Sequence, residues 1–138
     1  MEVSALPVRI AESGAPLDLG AVYLAPDGCD LEISVDLRLR VTRSTSQHTP
    51  SGDLLLESLA RALQSRVAGV VLTGMGDDGA RGLSAIRRVG GRTLAQDEAT
   101  SVVYGMPKAA VDAGVVDYVA SLATIPALII DLVGKEKT

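Results

Sequence analysis

The chain has 138 residues, the size of one ordinary domain that can bury a core of its own. Hydrophobic residues make up 47% and charged residues 22%, which excludes a disordered chain, and the absence of Trp and Phe means that the core must be aliphatic. The formal charge is −4, and no cluster of Lys and Arg forms a basic stripe, so nucleic acid is not an expected partner.

The first forty residues predict short strands joined in hairpins. Apolar runs rich in β-branched residues alternate there with turn signals such as Gly14 and the Pro-Asp-Gly triplet at 26–28. The predicted strands are Val8 to Ala11, Val22 to Ala25, Leu31 to Val35 and Leu37 to Thr42. An amphipathic helix is then predicted from Asp53 to Gln64, because apolar residues recur at helical spacing after the start signal Pro50-Ser51.

The second half of the chain predicts alternating strands and helices. An apolar run from Val67 to Thr73 is typical of a strand covered on both faces, and a glycine-rich loop over 74–79 follows it. The remaining predicted elements are a helix at about Ala80 to Val89, a strand from Arg92 to Ala95, a short helix from Pro107 to near Gly114, a strand from Val115 to Val119, and a helix from Ile125 to Val133 with Pro126 in its first turn. Strand, tight loop and helix make half of a parallel βαβ unit.

These elements predict an α/β fold, a doubly wound and mostly parallel sheet with an antiparallel hairpin near its start. We expect one domain over 1–134 and a charged tail over 135–138. The apolar runs are far shorter than the ~20 residues that cross a bilayer, and the amino terminus lacks a signal layout, so a cytoplasmic protein without membrane insertion is expected. The single cysteine, Cys29, is expected to be a structural thiol in a turn, and neither a metal nor a cofactor is expected.

The 74–79 loop is the first candidate for a functional site. Ligands collect at the carboxyl ends of strands in open α/β sheets, and this loop occupies such a position with Asp77 and Asp78 at the start of the next helix. A phosphate site would suit the glycines but not the two acids, and no P-loop Lys follows. From spacing alone we favour a helix cap by one of the acids. The sharper alternative is that one carboxylate orients a histidine in a hydrolytic triad.

Two long motifs make the sequence recognisable. The stretches 72–80 (LTGMGDDGA) and 95–107 (AQDEATSVVYGMP) closely resemble the two signature stretches of the protein-glutamate methylesterase domain, known in chemotaxis as CheB. The predicted strand at 22–26 and the helix start at 50–55 resemble the same family in the same order. The resemblance therefore covers nearly the whole chain.

The resemblance implies an activity and two site residues. The implied activity is hydrolysis of glutamyl methyl esters on methylated chemoreceptors, and often deamidation of receptor glutamines, by a Ser-His-Asp triad. Asp78 matches the triad aspartate of the family. Met75 matches the position whose backbone N–H helps to stabilise the oxyanion of the tetrahedral intermediate. Gln96, Asp97 and Glu98 follow a strand end beside this loop and are candidates for shaping the cleft.

The departures from the family pattern concern the nucleophile and the base. The family carries its serine in a Ser-Thr-Gly-Gly turn and its histidine in a Gln-His-x-Pro segment, both upstream of the strand at 22–26, so we expect a domain truncated at its amino-terminal strands. His48 stands in a literal Gln-His-Thr-Pro, but its place directly before Ser51 matches a second His-x-Pro-Ser-x-Asp segment of the family. We therefore expect His48 to be a loop histidine, Ser51 a helix cap and Ser101 a loop residue.

Three functional hypotheses remain at this point. The chain is the acid-bearing part of an esterase, completed by a longer polypeptide or a complementing chain, and is catalytically silent alone; its uncovered strands then predict homo-oligomers or poor solubility. Alternatively, it is a non-catalytic degenerate relative that serves as a binding or regulatory module in chemosensory signalling. The third hypothesis, a small-molecule binder with an anion site at the glycine loop, is disfavoured by the adjacent acids.

Overall fold

The structure, a computed structural model, describes residues 4–45 and 49–134. His48 and the predicted charged tail lie outside these residues. The strands are β1 (Val8–Ile10), β2 (Val22–Leu24), β3 (Cys29–Ile33), β4 (Leu39–Arg43), β5 (Ala68–Val71), β6 (Arg92–Gln96) and β7 (Tyr118–Ala120), and the helices are α1 (Gly52–Leu63), α2 (Ala80–Arg88), α3 (Met106–Asp112) and α4 (Ile125–Val133). None of the described helices is both long and apolar enough to span a bilayer.

The strands form parallel sheets and one antiparallel pair. β5, β6 and β7 make a parallel sheet in that order, β1 pairs with β2 in parallel, and β3 pairs with β4 as an antiparallel hairpin. The predicted α/β class, with a mostly parallel sheet and an antiparallel hairpin, is confirmed. The general expectation of hairpins over the first forty residues holds for β3 and β4 but not for β1 and β2, which pair in parallel. The connection between β1 and β2 is held on the β3–β4 hairpin by hydrogen bonds from Leu17 N to Leu37 O and from Leu39 N to Ala15 O.

Two further details differ from the sequence prediction. The last strand begins at Tyr118 rather than at Val115, because Val115 N bonds to Ala110 O at the end of α3 and Val115 O accepts from the Thr93 hydroxyl. Cys29 is the first residue of β3 and pairs with Arg43 instead of standing in the turn. Its thiol is free, and the residue is half-buried.

The core consists of two aliphatic clusters with α1 between them. One joins α1 and α2 to the parallel sheet, and its buried members are Ala60, Val67, Val71, Leu83, Ile86 and Ala110. The other lies under the β3–β4 hairpin and consists of Ala11, Leu31, Ile33 and Leu39. Leu59 of α1 packs against both clusters, so α1 connects the hairpin to the parallel sheet.

The first turns of α1 and α2 lie unusually close together. A Cβ on Gly82 would stand 2.6 Å from Leu56 Cβ and 3.2 Å from Asp53 Cα, so only glycine fits at that point of α2. Ser51 caps α1 by accepting a hydrogen bond from Leu54 N at 3.3 Å, as its position predicts. The close approach brings both helix amino termini to the carboxyl end of β5, where the glycine loop begins.

Candidate active site

Asp78 lies in the loop between β5 and α2, with its carboxylate buried against the start of α1. Asp78 Oδ2 accepts a hydrogen bond from Gly52 N at 2.7 Å, and Oδ1 accepts one from Asp53 N at 3.0 Å. The residue is only 6% exposed. These two backbone N–H groups belong to the first turn of α1 and would otherwise lack a partner within the helix, so Asp78 both caps α1 and is held in place by it.

The expectation that one of the two acids caps the helix that follows is wrong for Asp78. The N-cap of α2 is Gly79, which has a φ of 102° and provides no side chain, and Asp78 caps α1 instead. The left-handed backbone at Gly79 turns the chain so sharply that the preceding side chain points across to the other helix. Local spacing therefore assigned the carboxylate to the wrong helix.

Asp53 reciprocates this arrangement. Its Oδ1 accepts hydrogen bonds from Gly79 N at 3.0 Å and from Gly82 N at 2.8 Å, at the start of α2. Each aspartate thus satisfies backbone donors of the helix opposite its own, and we call the four hydrogen bonds between Asp53 and Asp78 and the two helix starts the aspartate clasp. Sequence reasoning missed it because an acid in the first turn of a helix is ordinary on dipole grounds alone.

A cation stands beside the aspartate clasp. Arg81 Nε donates to Glu57 Oε1 at 2.9 Å, which ties α2 to α1 one turn further along. This hydrogen bond raises the pKa of the Arg81 guanidinium, and the charges of Asp53 and Asp78 raise it further. The two carboxylates of the clasp therefore face a permanent positive charge.

Met75 lies three residues before Asp78, with its side chain in solvent and the residue before it held by backbone hydrogen bonds. The preceding Gly74 donates from its N–H to Val103 O at 3.0 Å, and its carbonyl accepts from Gly105 N at 3.1 Å and Met106 N at 2.8 Å. Within the described ranges, no hydrogen bond of the Met75 N–H itself is found. A fixed backbone with an open N–H is the arrangement that an oxyanion donor requires.

Gln96 supports the same loop from the end of β6. Its side chain is 1% exposed, its Oε1 accepts from Thr73 N at 2.8 Å, and its Nε2 donates to Thr100 O at 2.8 Å. Asp97 Oδ1 accepts from Thr100 N at 3.0 Å, whereas Glu98 is exposed. Of the three candidates for shaping the cleft, Gln96 binds Thr73, directly before the glycine loop, and Asp97 binds within the turn that follows β6.

Neither Ser101 nor a metal-binding cluster of the described residues is part of this site. Ser101 donates from its hydroxyl to Asp97 O at 2.7 Å, which is a turn contact as its sequence position predicts. In the part of the chain that the structure describes, no group of three or more His, Cys, Asp or Glu side chains is arranged to hold a metal ion. The site therefore consists of a buried carboxylate, an open backbone N–H and the contacts that fix them.

Comparisons with known proteins identify relatives of this chain. The family model for CheB methylesterase matches residues 1–129. Protein-glutamate methylesterase/protein-glutamine glutaminase 3 of Myxococcus xanthus is 52% identical over 94% of this chain and 36% of its own length. The corresponding protein of the group 3 operon of Rhizobium meliloti is 51% identical over 87% of this chain and 34% of its own length. The chain spans about a third of the length of these relatives.

A solved structure shows the same fold. The crystal structure of the Thermotoga maritima CheB methylesterase catalytic domain superposes with a TM-score of 0.80 at 34% sequence identity. The match covers 89% of this chain and 68% of that domain. With a family model that matches residues 1–129 and a common fold, the chain belongs to the CheB methylesterase family.

Proposed function

We propose that this chain forms the acid and oxyanion part of a protein-glutamate methylesterase site. Asp78 is the triad acid, and the Met75 N–H is an oxyanion donor. The observation that carries the proposal is the buried Asp78 carboxylate, fixed by two backbone N–H groups three residues after an N–H that is open. The printed names of the relatives, which pair methylesterase with glutaminase, support glutamyl methyl esters and glutamines as the two substrate classes.

The hydrogen bonding of Asp78 is compatible with the proposed role. Each carboxylate oxygen takes one backbone N–H and keeps a second lone pair, so an imidazole N–H can still be accepted. A histidine held in this way has the tautomer that removes the proton of a serine hydroxyl as the serine attacks the ester carbonyl. The oxyanion then accepts from the Met75 N–H, methanol leaves with the proton from the histidine, and water hydrolyses the acyl-serine to glutamate.

The serine and the histidine are supplied, in this proposal, by a segment outside the residues described. That segment belongs either to the same polypeptide or to a complementing chain. The histidine of the sequence itself, His48, matches the second histidine segment of the family by its position before Ser51, so we do not assign it as the base. The proposed substrate protein is a methylated chemoreceptor, and the cytoplasmic location stays a prediction.

The exposed face of the β1–β2 pair supports a place for the completing segment. Val8 stands opposite Val22 and Ile10 opposite Leu24, so these four side chains share one face of the pair. They are 36% to 59% exposed, although parallel strands in α/β proteins are normally covered on both faces. We propose that the segment that carries the serine and the histidine covers this aliphatic face.

Without that segment, the purified chain is expected to associate with itself, because the aliphatic face of β1 and β2 is open to water. Size-exclusion chromatography with light scattering should show dimers or larger species. Ile10→Lys, on the aliphatic face, should shift the population towards monomer, whereas Val35→Lys, at an exposed position between β3 and β4, should not. A monodisperse monomer of the unchanged chain would contradict the prediction.

Methanol release from a methylated chemoreceptor fragment tests the catalytic proposal. The chain alone is expected to release none, and the chain joined to the part of the Myxococcus xanthus relative that it does not match should release methanol. Methanol from the chain alone that disappears in His48→Gln would show that His48 is the base after all. A joined and folded protein that binds the fragment without hydrolysing it would favour the non-catalytic regulatory module.

A further inference from the structure

We propose that Asp53 is a positioning residue that holds Asp78 in the orientation needed for catalysis. The inference rests on the proposed role of Asp78 as the triad acid. Asp53 touches the Asp78 segment at three points, because its own N–H donates to Asp78 Oδ1 and its Oδ1 accepts from Gly79 N and Gly82 N. Gly79, which directly follows Asp78, is therefore held by Asp53, the same residue that binds the Asp78 carboxylate.

The aspartate clasp closes a ring of hydrogen bonds around Asp78. Starting from its carboxylate, the ring passes through Asp53 N, the Asp53 side chain, Gly79 N and back along the chain to Asp78. Rotation of the Asp78 side chain breaks its bonds to α1, and displacement of its backbone breaks the bonds from α2. Both modes of movement are therefore restrained, whereas a single helix cap restrains only one.

The surrounding backbone leaves little space for an alternative arrangement. A Cβ on Gly52 would lie 3.1 Å from Asp78 Oδ2, and a Cβ on Gly79 would lie 2.8 Å from Val71 Cγ2. The contact between Gly82 and Leu56 fixes the distance between the two helices in the same way. If the Asp53 acceptor is lost, Gly79 N and Gly82 N must find water, and the start of α2 moves relative to α1.

Positioning of this kind matters because a triad acid works by orientation. The acid must meet the imidazole N–H while the histidine also faces the serine, and small displacements of a catalytic group are costly in rate. Both bonds from α2 end on the same atom, Asp53 Oδ1. An asparagine amide oxygen at that place can accept both, so the structure predicts that Asp53→Asn keeps the geometry and Asp53→Ala loses it.

Amide hydrogen exchange on the full chain tests the proposal without any need for catalysis. In Asp53→Ala we expect the Gly52 amide, bonded to Asp78, to exchange at least about tenfold faster relative to the Leu94 amide of β6, because the restraint on Asp78 is local. Asp53→Asn should keep the ratio of the unchanged chain. Arg88→Gln, which removes a charge from the exposed last turn of α2, away from the clasp, is the matched control and should also keep it.

The outcomes separate positioning from general stabilisation. An Asp53→Ala chain in which Gly52 and Leu94 lose protection by the same factor, or an Asp53→Asn chain with the Gly52 defect, would overturn the proposal. If Asp53→Ala does not fold, the Asn variant decides by the same ratio. In the joined esterase, Asp53→Ala should lower kcat at least about tenfold with little change in KM, and Asn should restore it. Absence of methanol from the unchanged joined protein would refute the proposed function and leave the exchange result standing.

Discussion

Replacement of Asp78 by Asn is expected to lower kcat of the completed esterase by about 10⁴-fold, the scale seen when the acid of a serine-protease triad becomes an amide. An amide side chain presents an N–H group to the histidine and favours the wrong imidazole tautomer. The amide nitrogen also replaces one of the two carboxylate oxygens, which accept from Gly52 N and Asp53 N in the structure, so one of these backbone N–H groups loses its acceptor. The measurement is methanol release from the joined protein at saturating methylated receptor fragment.

Asp77→Asn is the matched control for this prediction. It makes the same chemical change one residue earlier, on a side chain that is exposed whereas Asp78 is buried. We expect kcat to stay within about threefold, because a solvent-exposed charge contributes little to an active site. Circular dichroism on both variants shows whether each is folded. A folded Asp78→Asn protein with more than about a tenth of the original kcat would remove Asp78 from the triad.

Leu83→Ala is expected to lower the free energy of unfolding by about 3 kcal/mol, within the range for a fully buried leucine. Leu83 is 0% exposed and packs from α2 onto β5, where a Cβ on Gly69 would stand only 2.7 Å from Leu83 Cδ2. Glycine on the strand brings the helix so close that the neighbouring backbone cannot collapse further into the cavity. The variant can be measured by urea denaturation of the unchanged and mutant chains under identical conditions.

Leu122→Ala provides the comparison for Leu83. Leu122 is 50% exposed and lies in the turn before α4, so its truncation should cost less than about 0.5 kcal/mol. Both chains should be compared at the same protein concentration, since self-association changes the apparent midpoint. Equal losses for the two leucines would show that α2 does not pack on β5 as described.

Local sequence signals predicted the elements better than their pairing. The last helix was predicted with the bounds that it has, Ile125 to Val133, because Pro126 occupies its first turn and the apolar run has clear ends. The direction of β2 could not be predicted in this way, since it depends on hydrogen bonds between residues 15–17 and the β3–β4 hairpin. Such contacts join segments that are separated along the chain, and the hydrophobic pattern of neither segment indicates its partner.

The same distinction holds at the candidate site. Glycines and acids marked the 74–79 loop, which contains the fixed backbone at Met75, and the buried Gln96 binds directly before it. The exchange of aspartates between α1 and α2 was not predictable, because Asp53 and Asp78 are 25 positions apart and each follows the local rule for an acid near a helix start. Only the close approach at Gly82 brings them together, and that depends on the packing of Leu56.

Because of the aspartate clasp, the effect of a substitution at Asp53 depends on whether Asp78 is present, and the reverse also holds. Once either carboxylate is removed, the starts of α1 and α2 can separate, and the hydrogen bonds of the remaining aspartate become weaker. The loss in free energy of unfolding for the double variant is therefore expected to be smaller than the sum of the two single losses. A lineage or a library that has lost Asp78 is thereby freed to vary Asp53 as well. Joint retention of the two aspartates in a homologue then indicates an intact aspartate clasp more reliably than Asp78 alone.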